Sequence, residues 1–133
     1  MDKKNYDVYG LAVYVADDGN EYAVGTDKQA NKAAYEAAYQ SLWAFRPSYI
    51  LGHLPISGRA AELAEIALEN MQSNLSEDAA PIIELLLGKK LRSFLVDAID
   101  ADGRGHFLNQ YDGEEYDSDD IPGLPRGKFA YRQ

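Results

Sequence analysis

The residues whose types and spacing come closest to a reactive or ligand-binding group are Asp100-Ala101-Asp102-Gly103-Arg104-Gly105-His106-Phe107. Carboxylates at positions one and three, glycine at six and an apolar residue at eight follow the opening of a calcium loop. Arg104 at position five and Tyr111 at position twelve, where a bidentate glutamate belongs, both oppose a bound cation. The expectation is therefore no metal, and a helix end followed by a tight turn. His106, one residue past flexible Gly105, offers a second chemistry. It would act as a general base oriented by Asp100 or Asp102, with Arg104 holding an anionic substrate. A small enzyme or an anionic-ligand-binding domain would be built that way. His53, between Gly52 and Leu54, suits a loop or helix end better than a ligand.

Other catalytic signatures are missing from the sequence. It has no G-x-S-x-G elbow, no histidine pair at metal-ligand spacing, no G-x-x-x-x-G-K loop and no G-x-G-x-x-G after a strand. Cysteine is absent, which excludes disulfides, thiolate nucleophiles and Cys-ligated zinc or iron–sulfur clusters. No catalytic residue is assigned and no cofactor is expected.

Charge says more than any single residue. The 133-residue chain carries 22 acidic against 13 basic side chains, a net of −9, which disfavours direct nucleic-acid binding and anionic membranes and favours basic partners. Acidity that only serves solubility is the plainer explanation. Nine carboxylates crowd residues 97–120 (Asp97, Asp100, Asp102, Asp112, Glu114, Glu115, Asp117, Asp119 and Asp120) against the lone cation Arg104. The last six fall within nine residues. Held in an ordered hairpin, they would form a negative ridge able to occupy a basic groove in place of phosphates. Left in a mobile loop, they would only be solvated. Tyr35, Tyr39 and Trp43, spaced by four on one helix, together with Tyr49, would add an aromatic stripe for a partner unless they are core.

The elements that must position these groups follow from periodicity. Residues 6–16 alternate as a first strand, and Asp17-Asp18-Gly19-Asn20 turns it into a second over residues 21–25. Thr26 and Gln29 form a capping box for an alanine-rich helix that runs to Arg46, before Pro47. Pro47 opens a short helix that Gly52 ends, and Ser57 caps a helix carrying Leu63, Ile66, Ala67 and Met71. Ser76 or Asp78 caps the next, with a largely buried run over residues 82–87. Gly88 ends or kinks that helix before a last one over residues 91–99, and Gly103 closes the helical middle. Residues 114–117 and 128–132 form a second hairpin around a Pro/Gly-rich connection. These elements predict a single α+β domain. An antiparallel sheet comes from the N- and C-terminal hairpins, and about four helices pack on one face. The polar N-terminus and the lack of any apolar stretch of about 20 residues predict a cytosolic protein.

The segments SLWAF (residues 41–45), DGRGHFL (102–108), YDGEE (111–115) and FAYR (129–132), in this order and after an AVGT hairpin (23–26), resemble a group of small acidic proteins of tailed phages and prophages. The stretch Ile121-Pro122-Gly123-Leu124-Pro125 is longer than the tight turn usual in that group. The resemblance implies a cytoplasmic role in a host cell. It points to stoichiometric inhibition of a basic nucleic-acid-binding host protein, such as a CRISPR effector or other defence enzyme, by nucleic-acid mimicry. A phage structural or assembly part, signalled by a symmetric oligomer with a buried aromatic helix face, is a further reading.

Overall fold

A computed structural model describes residues 2–133. The strands are β1 (Asp2–Val8), β2 (Leu11–Val15), β3 (Glu21–Gly25), β4 (Tyr116–Asp117) and β5 (Phe129–Arg132). The helices are α1 (Asp27–Gln40), α2 (Pro47–Gly52), α3 (Gly58–Leu75), α4 (Ala80–Leu87), α5 (Leu91–Asp102) and α6 (Arg104–Leu108). The fold is α+β, with strands from both ends of the chain in one sheet. Two compact units divide it: residues 2–38 with Ala98–Gln133, and Tyr39–Asp97.

In the first unit the sheet order is β1-β2-β3-β5-β4, with every neighbour antiparallel. β3 pairs with β5, setting Ala23 beside Tyr131 and Gly25 beside Phe129, and so joins the two termini. Leu11, Val13, Ala23 and Tyr131 project to one face, where Ala30, Ala33, Ala34 and Ala37 of α1 cover them along with Leu108. The i, i+3, i+4, i+7 spacing of those alanines makes a smooth stripe, and methyl-sized side chains let the helix lie close to the strands. At Gly25 a Cβ would run into Leu11 of β2 and lie 3.2 Å from Gln29 Cβ at the start of α1. The capping box forms as expected, with Thr26 N donating to Gln29 Oε1 at 2.9 Å and Gln29 N to Thr26 Oγ1 at 3.2 Å. On the opposite face Leu124 and Ile121 from the long connection pack against Ala16, Tyr22, Val24 and Ala130. The connection around Pro122 therefore covers that face of the sheet. Asp17 N donates to Pro122 O at 2.9 Å, and Gly123 sits where a Cβ would lie 2.8 Å from Asp17 N.

Several expectations are corrected here. Residues 6–16 are two strands, because Tyr9 and Gly10 both take positive φ (51° and 89°) in a two-residue hairpin turn of the I′ kind. β4 is only two residues long. Gly103 does end α5, at φ 86°, but α6 follows it directly, so the helical stretch continues to Leu108.

In the second unit α1 gives way at Gln40 to a 3-10 turn, Leu42–Ala44, instead of running to Arg46. Gln72 Nε2 of α3 donates to the carbonyls of Trp43 and Phe45, at 3.0 and 2.6 Å, satisfying acceptors that a continued helix would have paired. Phe45, Tyr49, His53 and Phe94 form an aromatic cluster with ring centroids about 5–6 Å apart. The run over residues 82–87 is not largely buried: Ile83 and Leu87 are, while Ile82, Leu85 and Leu86 face solvent.

Candidate functional site

The acidic segment is ordered, and its own polar groups hold it. Asn109, buried at the end of α6, is the hub. Its Oδ1 accepts from Tyr111 N and Asp112 N at 2.8 and 3.1 Å, and its Nδ2 donates to Glu114 O at 2.9 Å. Asp112 continues the pattern, accepting from Glu114 N at 3.0 Å and from the Tyr116 hydroxyl. Side chains that fold back on nearby backbone in this way mimic a turn and fix it. Gly105 lets α6 sit beneath the segment. A Cβ at that position would lie 2.5 Å from the Glu114 carbonyl carbon and against Gly113 O.

Beyond β4, Asp117 accepts from Asp119 N at 2.9 Å and caps the 3-10 turn Ser118–Asp120. Asp119 accepts from Gly127 N at 2.8 Å and pairs loosely with Arg126 at 3.7 Å. Buried Ser118 exchanges two bonds with Lys128, tying the turn to the strand that begins at Phe129. The side chains of Glu114 and Asp120 are exposed, and their carboxylates accept none of the hydrogen bonds found among the described residues.

Glu115 differs from the other five. It turns inward and accepts from Arg104 Nε at 2.7 Å and from the hydroxyl of fully buried Tyr131. Arg104 also donates from Nη1 to Asp27 Oδ1 at 2.8 Å and Asn31 Oδ1 at 3.0 Å, and its guanidinium lies 4.7 Å from the Phe129 ring centroid. Four segments distant in sequence meet at this one cation: the start of α1, α6, the acidic loop and β5. Burial works against the guanidinium charge, but the bonds from Glu115 and Asp27 outweigh it and hold Arg104 charged. Burial, then the Glu115 bond, push the Tyr131 hydroxyl far above its usual range. The Tyr116 hydroxyl, followed by the Glu114 N–H, keeps Asp112 below the ordinary carboxylate range.

The alternative ligand cluster looks different in three dimensions. Arg104 is engaged as described, through Nε with Glu115 and through Nη1 with Asp27 and Asn31. His106 is exposed and edge-on to Phe107 at 4.9 Å. No hydrogen bond links it to Asp100 or Asp102, both exposed at the end of α5, among the described residues. No three His, Asp or Glu side chains converge as metal ligands among those residues either. His53 caps the end of α2, with Nδ1 2.9 Å from Tyr49 O and Nε2 3.5 Å from Asp97.

Of the aromatic stripe, Tyr35 is half-buried on α1. Tyr39 and Trp43 belong to the second unit, where they line a cleft of about 580 Å³ with Glu77, Asp78, Pro81 and Glu84. Tyr39 donates to Glu84 at 2.9 Å. Asn109, Ser118, Asp27 and Tyr131 carry no functional motif in the sequence. The Asn109–Asp112–Gly113 spacing is a turn signal that could have marked the first of these. The other three become visible only through long-range contacts.

Fold and site together define a small α+β protein whose most distinctive polar feature is an acidic loop braced from within. Compared with known protein families, curated proteins and solved structures, the chain shows no match. No helix among the described residues is long and apolar enough to cross a membrane.

Proposed function

We propose that this is a phage-type binding protein, anti-CRISPR-like, that acts in the host cytoplasm. It inhibits a nucleic-acid-handling or defence protein by presenting carboxylates to a basic groove as a nucleic-acid mimic. One observation carries the reading: the backbone of residues 109–120 is fixed by Asn109, Asp112, Asp117 and Ser118, so the exposed carboxylates stand at set positions. Pre-placed charges gain more from a complementary surface than mobile ones, because less ordering is lost on contact. The presenting residues are Asp112, Glu114, Asp117, Asp119 and Asp120. Glu115 belongs to the brace and does not face a partner. Of the chain's net −9, the unit that holds this loop carries −7, with fifteen acidic and eight basic residues.

The test is capture from host lysate at low salt, with elution by rising salt. The bait is either the native protein or a variant with Glu114→Gln, Asp117→Asn, Asp119→Asn and Asp120→Asn. Amides keep the acceptor oxygens that brace the turn and remove only charge. The native bait should retain a basic nucleic-acid-binding protein that elutes as salt rises, and the variant should not. Equal retention by both, or retention of nothing, would refute the reading.

A further inference from the structure

The sequence of α4, APIIELLL, is apolar apart from Glu84. A short helix that is apolar nearly all round needs cover on every side. Its own unit covers one side only. Ile83 and Leu87, one turn apart, are buried where α4 meets the 3-10 turns Leu42–Ala44 and Ser76–Ala79. The opposite stripe, Ile82, Leu85 and Leu86 at i, i+3, i+4 spacing, is 40%, 82% and 48% exposed. Three adjoining large aliphatic side chains in water mark an interaction surface.

The flanking charges say what covers it. Exposed Glu77 and Asp78 precede α4, and exposed Lys89 and Lys90 follow it. Acid therefore stands just before the first turn of α4 and base just after Gly88, which ends the helix at φ 53°, with the apolar stripe between them. Laid antiparallel on a copy of itself about a twofold axis between Ile83 and Glu84, the stripe sets Ile82 against Leu85 at the centre and opposite charges at both ends. A parallel copy would set acid on acid. Such self-complementarity is the requirement for a closed twofold contact. The exposed pair Leu63 and Ile66 on α3 lacks it, being flanked by Glu62, Glu65 and Glu69.

We propose that the outer face of α4 is a self-association surface on which a second copy of this chain docks antiparallel, Ile82 and Leu85 meeting across the axis and Glu77/Asp78 facing Lys89/Lys90. One eight-residue helix gives a contact below the size of a permanent dimer, so the association is weak and salt-sensitive. It is independent of the acidic loop.

Sedimentation equilibrium over a concentration series, at low and high salt, tests it. The native chain should dimerise reversibly, and less tightly at high salt. Leu85→Glu, at a position that makes little contact within its own chain, should weaken the dimer by more than about tenfold while leaving the circular dichroism unchanged. A chain with Lys89→Glu and Lys90→Glu, and another with Glu77→Lys and Asp78→Lys, should each be monomeric alone and form a heterodimer when mixed. A native chain that stays monomeric overturns the proposal, since the stripe would then belong to some other partner. A dimer indifferent to Leu85→Glu, or charge variants that ignore each other on mixing, also overturns it.

Discussion

Glu114 and Glu115 are neighbours of identical chemistry, and the structure gives them opposite work, so the same substitution should separate them. Glu115→Gln keeps an acceptor for Tyr131 but removes the charge that meets Arg104 Nε at 2.7 Å. A hydrogen bond to a charged group contributes roughly 1.5–3 kcal/mol when lost. Two features set where in that range the loss falls. The Arg104 and Glu115 side chains are only 13% and 31% exposed, so solvent screens the pair weakly, while Asp27 still partners the guanidinium and prevents a wholly unpaired charge. A loss of about 2 kcal/mol follows, or about 8 °C in Tm for a chain of this length. Glu114→Gln, at an exposed side chain with no bond to lose, should stay within about 0.5 kcal/mol of the native protein. Urea unfolding at neutral pH, checked for equal m-values, measures both. Equal losses, or no loss at Glu115, would refute the inward brace and with it the division of the acidic residues into structural and presenting groups.

Alkaline pH should erode stability through Tyr131. Its folded-state pKa is raised, by burial and then by Glu115, so the stabilisation is complete below the unfolded value near pH 10 and is lost as pH climbs above it, by up to about 1.4 kcal/mol per unit. Tyr131→Phe should flatten that limb of a stability-versus-pH curve only in part, because Tyr22, raised by burial and then by Asp18, acts in the same window. An unchanged slope would contradict the assignment. Gly105→Ala drives a methyl into the Gly113–Glu114 backbone, and thermal unfolding should show a loss of about 2 kcal/mol or more, with shifted amide resonances over residues 109–116. Ser76 sits at φ 52°, ψ −126°, a conformation that only glycine adopts without strain, so Ser76→Gly should raise stability by about 1 kcal/mol in the same assay.

The fold was legible where local chemistry decides it. Thr26 and Gln29 announce the start of α1, the alanines announce its buried stripe, and the Asp18-Gly19 turn announces the pairing of β2 with β3. The Tyr9 turn was not legible, since tyrosine at positive φ is no signal in a sequence that otherwise alternates. An α4 apolar but for Glu84 shows that some face is buried without showing that another is not. In the acidic segment the density of charge was plain, and so was its neighbourhood of Gly and Asp turn residues. Which carboxylate turns inward was not, because Glu115 is aimed by Arg104 and Tyr131, residues 11 and 16 positions away, and a run of like residues carries no mark of that choice.

Displacement by nucleic acid tests the mimicry itself. With the captured host protein bound to the immobilised chain, a DNA or RNA duplex added at constant ionic strength should release it. The amount needed should fall as Asp112, Glu114, Asp117, Asp119 and Asp120 are neutralised one at a time. A host protein that holds both the duplex and this chain together, with neither reducing the other's affinity, would show that the acidic loop does not stand in for phosphates.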